Sequence, residues 1–223
     1  MSAFQSLSST NAWLYAGFLY CLLSIGIIYL NNDITFSELF KFHFNFNKIR
    51  SFRLKDYSNF ELFIFIPLIL TLIVVGFMNL YLILNVAPGN TDSMTTHLTR
   101  VAYYLQQGSY QFYEANNWGQ VLHPRNSTSL FLFSFLISGS EKATQFVQFS
   151  AYWVTLISIY GISIRSGMTK KEGLFSGLLS GLLISLLMQA ITTQSDLLIT
   201  ALIGVNVYYL LTYKQTGQIK YLF

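Results

Sequence analysis

The sequence predicts an all-α, polytopic membrane helix bundle, and three observations carry that prediction. Of 223 residues, 53% are hydrophobic, 17% aromatic and 10% charged, against roughly 25% charged in a soluble globular domain. The apolar residues collect in runs long enough to cross about 30 Å of hydrocarbon as helices. Lysines and arginines fall in short patches between those runs, the arrangement of cytoplasmic loops. That patchiness also decides what the formal charge of +4 means. Basic residues scattered between apolar runs argue against a nucleic-acid partner, which needs them on one stripe or face.

Five runs predict about five transmembrane helices: residues 12–30, 60–87, 144–164, 173–191 and 197–213. The first is preceded by no positive charge and followed by no clear small-residue cleavage site, so it reads as an anchor rather than a signal peptide. The second is longer than one bilayer requires and holds Pro67 and Gly76, which predicts a tilt or a kink. The fourth places small residues four apart, at Gly173, Gly177 and Gly181, a pattern for close helix packing. Cys21 lies inside the first run, where it supplies neither a disulfide framework nor a metal cluster.

Charge sets the expected sidedness. Residues 31–59 hold Lys41, Lys48, Arg50, Arg53 and Lys55, residues 165–171 hold Arg165, Lys170 and Lys171, and the tail after residue 213 holds Lys214 and Lys220. These segments are expected in the cytoplasm. The outer loop, residues 88–143, is poorer in basic residues and is expected on the opposite face, together with the turn at 192–196. Within that loop, residues 95–107 space Leu98, Val101, Ala102 and Leu105 as an amphipathic interfacial helix that Gly108 ends. Residues 129–138 are apolar but too few to cross, and predict a second interfacial or re-entrant helix. Between them Tyr110, Phe112, Tyr113, Trp118, His123 and Arg125 form an aromatic and polar run, read either as substrate-facing or as an interfacial belt. Asn126-Ser-Thr128 matches a glycosylation sequon but, so near the membrane, is discounted.

On this scheme Asp92 and Asp196 emerge on one face. A carboxylate costs several kcal/mol in hydrocarbon but works at its water-facing boundary, so these two acids are the site candidates. Their bland alternative is helix capping, since both stand at expected helix starts.

The run Asp92-Ser-Met-Thr-Thr-His97-Leu-Thr-Arg100, with Gln107-Gly-Ser109, His123-Pro124, Ser138-Gly-Ser-Glu141 and Thr193-Gln-Ser-Asp196-Leu, resembles the N-terminal module of GT-C glycosyltransferases. These are the integral membrane enzymes related to protein O-mannosyltransferases and to the aminoarabinose transferase of lipid A. The resemblance covers roughly residues 60–213, between an N-terminal anchor and basic loop (1–59) and a short cytoplasmic tail (214–223). It implies two membrane-surface helices in the first outer loop and a polyprenyl-phosphate sugar as donor. The acceptor it implies is a hydroxyl of a carbohydrate, lipid or protein. It implies Asp92 as general base, Asp196 as the acid of the second outer loop, and His97, Arg100, His123 and Arg125 as substrate-binding residues. Thr96 and Thr99 depart from the pattern, where Tyr and Pro are common.

A bacterial inner (plasma) membrane is the implied location, with the outer loop non-cytoplasmic. Family members continue with further spans, so the expected counterpart of this chain is the N-terminal part of such an enzyme. No cofactor is required by the reading; a divalent cation shared by Asp92 and Asp196 stays open, since two carboxylates are an incomplete ligand set. The competing reading is a non-catalytic assembly partner or a small transporter.

Overall fold

The computed structural model describes residues 57–122 and 124–222, together with residues 11, 14–20, 22, 23 and 26. Residues 14–20 are helical; the rest of the expected anchor over 12–30, most of the basic loop after it, and His123 lie outside the described residues. Every regular element among the described residues is helical, and three helices are long and apolar enough to cross a membrane.

The first of these is α1 (Asn59–Asn85). Its start is written locally as a capping box: the Glu61 amide donates to the Ser58 hydroxyl at 3.2 Å and the Ser58 amide donates to the Glu61 carboxylate at 2.7 Å. The helix runs through Pro67 for 27 residues. Phe60, Phe63, Leu70, Phe77 and Tyr81 stand exposed along it, the pattern of a helix whose solvent is lipid rather than water.

The outer loop carries a π-helical turn (Ser93–His97), then α2 (Leu98–Gln107), a single turn α3 (Gly119–Leu122) and α4 (Asn126–Ser138). The expected interfacial helix over 95–107 is thus two elements, a wide turn closed by the Leu98 amide on the Ser93 carbonyl and a regular helix that Gly108 ends at φ 62°. Only glycine adopts that left-handed conformation without steric cost. The short apolar helix expected from residue 129 begins three residues earlier.

A 3-10 turn (Glu141–Thr144) leads into α5 (Gln145–Arg165), the second membrane-length helix. The third is α8 (Asp196–Thr216), which packs along α5 and continues past residue 213, where the span was expected to stop, before Gly217 terminates it.

The expected helix over 173–191 is discontinuous. It divides into α6 (Lys170–Gly181) and α7 (Ile184–Gln189), with Leu182 and Leu183 between them. Two local causes act together. Gly173, Gly177 and Gly181 lower the helical preference of the first half, and the buried Tyr152 hydroxyl donates to the Gly181 carbonyl at 2.6 Å, replacing the amide that a continuous helix would supply.

Despite the break, residues 170–189 carry the chain the full length of the bundle. At one end Lys171 pairs with Glu61 at 2.8 Å, and Gln215 donates to the Arg165 carbonyl at 2.5 Å. At the other end Gln145 donates to the Val86 carbonyl at 2.8 Å, and the Leu198 amide donates to Gln148 at 3.0 Å.

The core of the bundle joins Phe65 and Leu72 of α1, Tyr152 and Leu156 of α5, Leu178 of α6 and Leu197 and Ala201 of α8. Close contact of α5 with α6 depends on Gly177, where a Cβ would come within 3.3 Å of the Leu156 carbonyl oxygen. Backbone cannot yield there as a side chain can. Gly177→Leu should therefore force α6 away from α5 and cost about 1–3 kcal/mol, read as a lowered melting temperature of the detergent-solubilised protein.

Candidate functional site

Asp92 and Asp196 stand about a hundred residues apart in sequence and line one polar cleft. The cleft, of about 190 Å³, is bounded by Asp92, Thr96, His97, Gln194, Ser195 and Asp196. It forms where the 190–195 loop docks on the π-helical turn. The Thr193 amide, on a fully buried residue, donates to the Ser93 hydroxyl at 3.0 Å, and beside it the Gln194 side-chain amide donates to Asp92 Oδ2 at 2.8 Å. Asp196 Oδ2 accepts from the side-chain amide of Gln189 at 3.2 Å.

Neither carboxylate accepts from a helix amide; both accept from glutamine side chains. Asp92 precedes the π-helical turn with helical dihedrals and no side-chain bond to that turn's amides. Asp196 is the first residue of α8, after Ser195, where a negative charge is favoured by the helix dipole, and its carboxylate accepts from Gln189.

The π-helical turn itself is held from the other side. Gln120 donates to the Thr95 carbonyl at 2.5 Å, and the His97 ring meets Phe131 edge-on at 5.8 Å between centroids. His97 is buried yet reaches the cleft wall.

The two arginines named from the sequence sit elsewhere. Arg100 is 0% exposed, and its guanidinium donates to the Pro124 carbonyl at 3.3 Å. Arg125 donates to the Tyr110 carbonyl at 2.7 Å. Neither lines the cleft. Both cations instead tie the outer loop to itself, and for the buried Arg100 such bonding is what makes its charge tolerable.

Part of the aromatic run also serves packing. Tyr113 stacks on Tyr103 at 4.2 Å, and Tyr104 meets Tyr110 edge-on at 4.8 Å, so these rings face α2 rather than a ligand. Phe112 and Trp118 remain exposed. Burial pushes the Tyr113 hydroxyl up to about 12, from an ordinary value of 10.0.

On the far side of the π-helical turn lies an apolar groove of about 730 Å³, lined by Met94, Leu98, Val101, Ala102, Leu105 and Phe135, with Glu141 also on its wall. Residues of one turn thus face two environments: Asp92, Thr96 and His97 the polar cleft, Met94 and Leu98 the groove.

Sequence reasoning missed Gln194 and Gln189 as site residues. Gln194 stood inside the quoted motif, but an amide gives no positional signal until its partner across the fold is known. Among the described residues no group of three or more histidine, cysteine or acidic side chains comes together as a metal site. Comparison with protein-family models, with curated proteins and with solved structures finds no significant match.

Two variants probe this region. Ser93→Ala strands the buried Thr193 amide, with an expected loss of about 1–3 kcal/mol, measured as a drop in melting temperature. Tyr113→Phe removes a buried hydroxyl that has no partner among the described residues. Because folding raises that hydroxyl's pKa, the wild type loses stability as pH rises from 10 through about 12. The Phe variant should match the wild type at neutral pH and outlast it over that alkaline interval in thermal denaturation.

Proposed function

We propose that the chain is a membrane glycosyltransferase of GT-C type, or the N-terminal part of one, that moves a sugar from a polyprenyl-phosphate donor to an acceptor hydroxyl on the non-cytoplasmic face. The observation that carries this reading is the joint lining of one polar cleft by Asp92 and Asp196, with an apolar groove on the other side of the same turn. A lipid-linked sugar has that division: a polar reacting end and a long apolar tail.

In the reaction, the acceptor oxygen forms a bond to the anomeric carbon as the bond from that carbon to the phosphate oxygen breaks. The phosphate leaves with the electron pair, and the acceptor proton passes to Asp92. Asp196 orients the acceptor. Among the cleft-lining residues, His97 is the side chain able to carry positive charge toward the leaving phosphate.

The topology that goes with this reading has five crossings: the N-terminal anchor, α1, α5, the α6–α7 pair taken as one discontinuous crossing, and α8. Arg165, Lys171 and Lys214 gather at the end of the bundle away from the acids, which agrees with a cytoplasmic placement of that end.

The helix break is the feature a transporter reading would use, since discontinuous helices build mid-membrane ion sites. Here the last three carbonyls of α6 already accept hydrogen bonds, Leu179 from the Leu182 amide, Ser180 from the Leu183 amide and Gly181 from Tyr152. That supports a structural break rather than an ion site.

The test is transfer of label, in membranes containing the chain, from a panel of radiolabelled polyprenyl-phosphate hexoses and pentoses. Asp92→Asn, nearly isosteric but unable to take the proton, should lower transfer by at least about a hundredfold. Undiminished transfer by Asp92→Asn and Asp196→Asn alike would favour an assembly partner. Cysteine labelling in intact cells should find positions 92 and 196 accessible from the same, outer side.

A further inference from the structure

We propose that Gln194 is the positioning residue of the Asp92 carboxylate, holding one oxygen so that the other faces the acceptor. This rests on the transferase reading above and adds to it a residue that acts through the base.

The carboxylate of Asp92 has two ways to be held. Asp92 is itself helical, at φ −65° and ψ −38°, and makes no bond to the amides of the turn that follows. Its Oδ2 accepts from Gln194 Nε2 at 2.8 Å. An ionised carboxylate is acceptor-only, so Gln194 must present its NH2 group, which fixes the amide's orientation. No described residue donates to Oδ1, the oxygen left for the substrate proton.

Gln194 is itself fixed in place. Its backbone amide donates to the Thr192 hydroxyl at 3.3 Å, and the adjoining Thr193 amide is anchored on Ser93 at 3.0 Å within the protein. Gln189, five residues earlier, holds Asp196 Oδ2 in the same manner at 3.2 Å. One short segment thus sets the direction of both carboxylates.

The wide turn after Asp92 adds to the argument. A π-helical turn is rarely retained in a sequence without local cause and recurs at functional sites. This one swings Thr96 and His97 into the cleft while keeping Ser93 under the docked loop.

The experiment uses the full chain in membranes, with the radiolabelled polyprenyl-phosphate sugar that supports Asp92-dependent transfer as probe. Gln194→Met keeps the side chain's length and removes the donor. It should lower kcat about 10- to 100-fold and leave KM for the lipid-linked sugar within about threefold, because a misdirected base costs rate rather than binding. The melting temperature should stay at the wild-type value. Wild-type kcat in Gln194→Met overturns the proposal, as does a parallel fall in kcat and melting temperature, the signature of a merely structural contact.

A second measurement separates this failure from that of the underlying reading. Cysteines introduced by Asp92→Cys and Gln194→Cys should be joined by a short bifunctional thiol reagent. Their failure to join overturns the contact and with it the positioning role. Joined cysteines together with an active Asp92→Asn would leave the geometry standing and sink the transferase reading, and the assignment of a base to be positioned with it.

Discussion

The docking of the 190–195 loop on the π-helical turn is the contact on which the candidate site depends. One buried hydrogen bond, from the Thr193 amide to the Ser93 hydroxyl, brings together parts of the chain separated by a hundred residues. Around it the helices supply the geometry. α1 delivers Asp92 to one end of the bundle, α5 and α6 form a closely packed antiparallel pair, and α7 returns the chain to the same end so that α8 can begin with Asp196. Removing any of these would leave two acids on unrelated loops. A shared cleft is therefore a property of the whole bundle, although it is lined by six side chains.

Much of the architecture was legible because lipid imposes a simple rule on sequence. Runs of apolar residues marked α1, α5 and α8 to within a few residues, and the charge pattern led to the expectation that Asp92 and Asp196 emerge on one face. The break at Leu182 and Leu183 was not legible. Hydropathy is continuous across it, and of its two causes the glycines are visible in the sequence whereas the hydroxyl contributed by Tyr152 from the preceding helix is not. Length-based reading cannot detect a carbonyl satisfied from outside its own helix. The π-helical turn was missed for a related reason, since the periodicity of residues 95–107 fits a wide turn and an α-helix nearly as well as one continuous helix.

The arginines illustrate a different limit. A guanidinium near a polar loop invites assignment to a phosphate, and sequence offers nothing to set against that. In the fold, Arg100 and Arg125 donate to the Pro124 and Tyr110 carbonyls. The carbonyls of Tyr110 and Pro124 lie outside the regular helices, and long cationic side chains satisfy them. Tyr113 and Tyr104 pack inward on other rings while Phe112 and Trp118 stay exposed. In the outer loop, charge and aromatic rings hold the loop to its own helices, leaving the polar chemistry to the turn that follows α1.

The Tyr152 contact has a mechanical corollary. Because α6 ends on a hydroxyl rather than on its own continuation, the two halves of that traverse share no uninterrupted hydrogen-bond ladder, and rotation of one about its axis is not transmitted rigidly to the other. The lower half is clasped to α5 through glycines, whereas the upper half leads straight into the segment bearing Gln189 and Gln194. A shift of one half is then taken up at this joint before it reaches the segment that holds the two carboxylates.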